Sequence, residues 1–376
     1  MSVERKISLT KKYMYSALII AGAVVAAFGI RVLVGPRLKT ANSGYRVVMG
    51  TFANITAVAG DSKTAGICVE AAFDKLKYVD EVMSDYKAES QLSQVNREAF
   101  GRPVHVDEDL FEVLRISGEY SRQTENAFDI TVGPVVDLWR QAQELKRLPT
   151  EAELAEARSR VGFGKLALNR ADKTVRFEVE GMRLDLGGIA KGYAIDLAIE
   201  AMQKTGAVGG LVDVGGDVRC FGPSSDDRES WLVGLQDPAA DDRLLLVLKL
   251  RGMAVATSGG YRRFTEIDGK RFSHIINPGV GASADELISV SIIAPTATAA
   301  DALATAVSVL GREKGLELVD SLAETEAILV GAGKGDELIH TEGVRRYVDT
   351  TQPVPVYSTA SKVAGQRKPW PKENQL

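Results

Sequence analysis

Three strand-like runs in this chain each end in a pair of glycines. They are Leu184-Asp185-Leu186-Gly187-Gly188, Val212-Asp213-Val214-Gly215-Gly216-Asp217 and Ala256-Thr257-Ser258-Gly259-Gly260-Tyr261. Glycine has no Cβ, so the backbone can turn sharply there and let another group come close. The first corner runs directly into Ile189-Ala190-Lys191-Gly192-Tyr193-Ala194-Ile195-Asp196, a helical stretch. A helix start offers unpaired N–H groups and a partial positive charge, where phosphate settles. One such corner is commonly a plain turn. Three of them, two flanked by Asp, favour a fold that gathers strand ends and a helix start around one glycine-lined phosphate pocket. The spacing is neither that of a P-loop nor the Gly-x-Gly-x-x-Gly of a dinucleotide fold.

The rest of the pattern mixes hairpin-like strands with helices, which indicates an α+β fold rather than a βαβ repeat. Strands are expected at 45–59, 174–179, 182–186, 210–214, 231–236, 244–250, 287–294 and 326–330. Val69, Ala72, Phe73, Leu76, Val79, Val82 and Met83 recur at intervals of three and four, so 62–84 reads as an amphipathic helix. Further helices are expected at 107–123, 150–160, 189–204, 298–310 and 312–322. Thr150 and Glu153 make a capping box at the start of the second of these.

Tyr13 to Ile30 is a run of eighteen residues without a charge, continued past Arg31 by Val32-Leu33-Val34. That approaches the roughly 20 residues a spanning helix needs. Arg5, Lys6, Lys11 and Lys12 precede it, and the positive-inside rule keeps that side in the cytoplasm. The expected plan is a basic cytoplasmic segment (1–12), a transmembrane anchor or uncleaved signal (13–34), a linker (35–44), a catalytic body (45–345) and a polar tail (346–376). A cleaved signal peptide and a buried helix are the alternatives. The body would then face the periplasm from the inner membrane. Residues 1–40 hold seven basic residues and one acid, so the remainder carries the balance of a net −4, that is −10. A body so acidic excludes a phosphate-backbone partner such as nucleic acid. Cys68 and Cys220 are the chain's two cysteines, which excludes a Cys-rich zinc site and leaves a single disulfide open.

Asp301 and Thr305 are four apart on the 298–310 helix, so both oxygens share one face. A carboxylate beside a hydroxyl suits Mg²⁺, which completes its shell with phosphate and water. His274 lies in Ser273-His274-Ile275-Ile276-Asn277-Pro278, and three scattered histidines give no zinc spacing. Met83-Ser84-Asp85-Tyr86 and Ala127-Phe128-Asp129-Ile130 place aromatics beside acids.

Taken in order, these pieces resemble the ApbE-like flavin transferases, the FAD:protein FMN transferase family. The resemblance runs through Met49-Gly50-Thr51, Met83 to Asn96, Ala127 to Pro134, Asp185 to Asp196, Asp213 to Asp217, Ser258-Gly259, His274 to Pro278 and Asp301 to Thr305. It implies an ApbE-like (T-fold-like) two-lobed catalytic body. It also implies Mg²⁺-dependent transfer of the FMN half of FAD to a Thr hydroxyl of an acceptor protein, releasing AMP and leaving a phosphoester. Carried across by position, Met49, Tyr86, Ala127, Phe128, Asp129, Asp185, Lys191 and Ile275 would line the FAD site. Asp301, Thr305 and an oxygen of Gly188 would hold Mg²⁺; Gly188 can offer only its carbonyl. Asn277 stands where the family commonly has Asp, which keeps a turn but supplies no base. The acceptor would carry Asp-x-x-Ser/Thr-Gly-Ala-Thr and belong to a membrane redox complex; this chain holds no such segment.

Cleaving a diphosphate needs charge neutralisation, which Mg²⁺ supplies. The acceptor hydroxyl must lose a proton, and His274 is the first candidate base, with Asp185 the second. Two rivals stand beside transfer: an FAD pyrophosphatase giving FMN and AMP, and a tethered flavin-binding protein without turnover.

Overall fold

The computed structural model describes residues 37–260, 264–267, 269–332 and 338–351. In chain order the strands begin with β1 (Lys39–Asn42), β2 (Arg46–Val48), β3 (Thr51–Ala59), β4 (Val104–His105), β5 (Leu166–Asn169) and β6 (Thr174–Phe177). They continue with β7 (Gly209–Val214), β8 (Asp217–Phe221), β9 (Trp231–Asp237), β10 (Ala240–Leu250) and β11 (Ala254–Gly259). The last are β12 (Phe264–Ile267), β13 (Lys270–Ser273), β14 (Leu287–Ala294), β15 (Glu326–Gly331) and β16 (Leu338–His340). The helices are α1 (Ser62–Met83), α2 (Gln91–Glu98), α3 (Glu108–Gln123), α4 (Gly133–Leu145), α5 (Glu151–Ser159), α6 (Ala190–Lys204) and α7 (Ala297–Asp320).

One antiparallel sheet organises the molecule, in the order β1-β3-β7-β8-β11-β14-β15-β16, with β2 also paired to β3. Period-two alternation sorts its side chains onto two faces. Ala53, Ile55, Val212, Val214, Ala254, Ala256, Ile292 and Leu329 meet α1, α6 and α7 in one core. Val218, Val255, Ile293, Ile328 and Val330 meet the β9–β10 ribbon in a second, through Trp231, Val233, Leu246 and Leu248. The sheet is therefore the middle layer of three. A third cluster joins Val135, Trp139 and Ala142 of α4 to Ala157, Ile267 and Ile276.

The helices expected from the sequence form as α1, α3, α5, α6 and α7, while α2 and α4 were not expected. The apolar positions of α1 are buried, and Asp61 caps it by accepting from Thr64 N at 2.9 Å. The Thr150–Glu153 capping box is present at α5. The two helices expected at 298–310 and 312–322 form α7, interrupted where Gly311 takes φ 76°, ψ −172°.

Four expectations are corrected. Residues 39–42, read as linker, form β1, because the edge of β3 offers unpaired groups that Lys39 to Asn42 satisfy in register with Ala59 to Thr56. The run 45–59 is a hairpin, broken at Met49 (φ 52°) and Gly50 (φ 66°), the paired positive φ of a type I′ turn. Residues 182–186 are not a strand. Their polar groups go elsewhere: the Asn96 side chain bonds both the N–H and the carbonyl of Leu184, and Asp185 N donates to Ile130 O at 2.7 Å. The body also extends past residue 345, since Tyr347 and Asp349 pair with β10 through Lys249 N and Val247 O.

Cys68 and Cys220 are both buried free thiols, with no disulfide between them. Among the described residues no helix is long and apolar enough to cross a membrane; the segments 1–12 and 13–34 lie outside those residues.

Candidate functional site

A cleft of about 1380 Å³ opens between the ends of sheet strands, helices α1, α4, α6 and α7, and strand β9. All three glycine corners reach its wall, at Gly187 and Gly188, at Gly215 to Asp217, and at Thr257 to Gly259. Met49, Tyr86, Ala127, Phe128, Asp129, Asp185, Gly188, Lys191, His274, Ile275, Asp301 and Thr305 all line it. Residues spread over more than two hundred and fifty positions are thus brought to one cavity.

One end of the cleft is built by two helix starts. Asp196 on α6 accepts from Ala297 N and Thr298 N, both at 2.9 Å, and so fixes the first turn of α7. Gly192 permits the crossing: a Cβ there would lie 2.3 Å from Ala297 O. One turn on, buried Asp301 accepts from Gly192 N at 3.0 Å through Oδ2 and from Lys191 Nζ at 3.2 Å through Oδ1. Lys191 also donates to Asp217, whose other oxygen accepts from Thr257 N at 3.0 Å. Gly188 abuts Thr305, where an added Cβ would fall 2.7 Å from Oγ1. Asp301, one turn before Thr305 on α7, lines the cleft together with Thr305 and Gly188, so the three could cradle one hard cation. One carboxylate, one hydroxyl and one carbonyl form a hard-oxygen set that suits Mg²⁺. Among the described residues no group of three or more His, Cys, Asp or Glu gathers as a metal cluster.

Burial pushes the Asp301 carboxyl up to about 6, Lys191 opposing and Asp217 adding to it. Burial works against the Lys191 ammonium, yet Asp217 and Asp301 together hold its pKa above the ordinary value.

At the other end, Asp185 Oδ1 accepts from Gly187 N at 2.8 Å. Desolvation raises its pKa, against the Gly187 N–H, Arg140 and Arg183. Asp129 is buried, and its carboxylate bonds go to Thr131 and Phe163 N, so it organises the loop that presents Ala127 and Phe128. Burial raises its pKa as well. Tyr86 is 81% exposed at the mouth. His274 is exposed on the wall after β13, beside buried Ile275. Asn277 Oδ1 accepts from Gly279 N at 2.9 Å and closes the turn.

Sequence reasoning missed one wall. Val132, Val136, Trp139, Arg140 and Gln143 of α4 and its N-cap line the cleft, as does Asp85. Their spacing of three and four was a helical signal.

A glycine-lined cleft, a helix start and a hard-oxygen cradle define a site suited to a phosphate-bearing nucleotide and a divalent cation. The ApbE family model matches residues 49–329 of this chain. A FAD:protein FMN transferase of Treponema pallidum is 35% identical over 276 residues, covering 70% of this chain and 76% of the relative. Another of Salmonella typhimurium is 31% identical over 310 residues, covering 80% and 88%. The crystal structure of the ApbE protein of Thermotoga maritima superposes with a TM-score of 0.74 at 30% identity, over 82% of this chain and 99% of that one. The flavin transferase ApbE of Vibrio cholerae gives 0.71 at 27% identity, over 82% and 99%. The chain belongs to the ApbE family.

Proposed function

We propose that this protein transfers the FMN moiety of FAD to a Thr hydroxyl of an acceptor protein, with AMP as the other product. Flavin transfer as the reaction class rests on family membership and on relatives that carry that name. The observation that carries the finer reading is the cradle of Asp301, Thr305 and Gly188 at one end of the glycine-lined cleft. These residues would hold Mg²⁺, which neutralises charge on the diphosphate and the departing AMP.

The chain's own groups supply the rest. Gly187, Gly215, Gly216 and Gly259 let the nucleotide's phosphates approach the backbone. Lys191, between Asp217 and Asp301, fixes the second carboxylate and sets a cation between two acids at that end of the pocket. His274 accepts the proton of the acceptor hydroxyl, with Asp185 the second candidate. A base of this kind contributes about 10²–10⁴-fold in rate. The acceptor is a separate protein with Asp-x-x-Ser/Thr-Gly-Ala-Thr, a subunit of a membrane redox complex. The body works on the periplasmic side of the inner membrane, tethered through residues 13–34.

The test uses the purified full chain with FAD, Mg²⁺ and an acceptor carrying that motif. Covalent flavin fluorescence on a denaturing gel is expected. Free FMN and AMP with unlabelled acceptor would instead establish a pyrophosphatase.

A further inference from the structure

We infer that Arg140 is a positioning residue that sets the exposed Tyr86 ring as the plate on which a planar ring of the flavin nucleotide stacks. The inference rests on FAD being the ligand, as proposed above. Tyr86 follows α1 on a short loop and is 81% exposed, an unusual state for a large aromatic lining a cleft. A ring so exposed can take many orientations unless something grips it. Arg140 reaches across from α4 and does so twice over. Its guanidinium carbon lies 5.2 Å from the Tyr86 ring centroid, and its Nη2 donates to the Tyr86 hydroxyl at 3.0 Å.

The guanidinium is itself clamped. Nη1 donates to Asp85 and to Asp137, each at 3.3 Å, and Nη2 stands 3.7 Å from Asp185. Arg183 shares both Asp85, at 3.5 Å, and Asp137, at 3.3 Å. Trp139, the preceding residue, anchors the helix by donating to Gly281 O at 2.8 Å. Helix, loop and ring are therefore tied together. An arginine's fork can approach the ring, bond its hydroxyl and reach Asp85, Asp137 and Asp185 at once, which a lysine's single ammonium cannot. A cation against one part of the ring leaves the rest facing the cleft mouth, open to a planar ligand. Because Asp85 and Asp185 are both engaged by Arg140, the grip also keeps two carboxylates from turning toward an anionic nucleotide.

The measurement is FAD affinity by flavin fluorescence, in Mg²⁺ and without acceptor, with thermal melts run alongside. Arg140→Met should weaken FAD about tenfold while leaving a cooperative melt. Arg140→Lys, which keeps the charge but not the plane, should recover only part of that loss. The decisive arm is the double variant. If Arg140 acts through Tyr86, Arg140→Met in a Tyr86→Ala background should change affinity less than about twofold. Should Arg140→Met fold poorly, Tyr86→Phe removes the hydroxyl that Arg140 grips and should weaken FAD measurably, though less than Tyr86→Ala. Full additivity of the two losses, or wild-type affinity in Arg140→Met, would overturn the inference while FAD binding by the parent chain left the proposed function intact. A parent chain that fails to bind FAD would remove both.

Discussion

Gly192→Ala is the sharpest probe of how this fold makes the proposed cation site. A methyl placed there would lie 2.3 Å from Ala297 O, 2.6 Å from Ala297 C and 2.8 Å from Thr298 Cα. All three obstacles are backbone, so no rotamer change relieves them. Ordinary contact demands that α6 and α7 separate by about 1 Å. Overpacking of that kind costs about 1–3 kcal/mol. At roughly 2 °C per kcal/mol in a body of this size, the melt should fall by about 2–6 °C. The larger effect is local. The same separation pulls Gly192 N away from Asp301 Oδ2 and shifts Asp301 relative to Gly188 and Thr305. A misplacement of about 1 Å can cost on the order of 10²-fold in rate. Gly66→Ala is the matched control. It lies within α1 with nothing within 4 Å of its would-be Cβ, so it should stabilise by up to about 1 kcal/mol and leave turnover unchanged. The assays are a thermal melt with and without Mg²⁺ and gel-based flavinylation across a Mg²⁺ titration. If Gly192→Ala melts like the parent and shows the same Mg²⁺ dependence, the close helix crossing does not set the cation site.

Further outcomes are expected. Asp301→Ala should abolish transfer and the Mg²⁺-dependent rise in melting temperature together; retained turnover would remove Asp301 from the cradle. His274→Ala should slow transfer by at least tenfold if it takes the hydroxyl proton, and a smaller loss places proton removal elsewhere. Burial raises the Cys220 thiol to about 11, so little of its thiolate forms at pH 8, and Cys68 is buried out of a reagent's reach. Neither should react with a thiol reagent there until the protein unfolds, when two equivalents should appear; rapid reaction of the native protein would contradict the core packing described.

Much of the architecture was readable because the helices that matter carry strong periodicity. The positions of α1 recur at three and four, and α7 breaks at a glycine, so both were visible from residues 62–84 and 298–322. The glycine corners announced the cleft because a backbone without Cβ allows close approach, as at Gly192 against the Ala297 backbone. What escaped reading is what tertiary contact decides. Residues 182–186 have the composition of a strand, yet the Asn96 amide, 88 positions from Leu184, takes their polar groups. Residues 39–42 look like a linker and become a strand because β3 needs an edge partner. Asp217 was quoted only as part of a corner, since nothing in sequence shows that Lys191 would lie between it and Asp301. Arg140 was passed over because its significance is its reach to a loop 54 positions away.

The walls of the cleft are drawn from β3, α1, α4, α6, β8, β9, β11 and α7, segments far apart along the polypeptide. A molecule lodged against all of them would lose its grip only when most of the body loosens. Occupancy should therefore slow amide exchange throughout the sheet and not merely at the rim, with a protection that rises as RT ln(1 + [L]/Kd). Fragments ending before residue 301 would hold the glycine corners but have no Asp301 or Thr305 to set beside them.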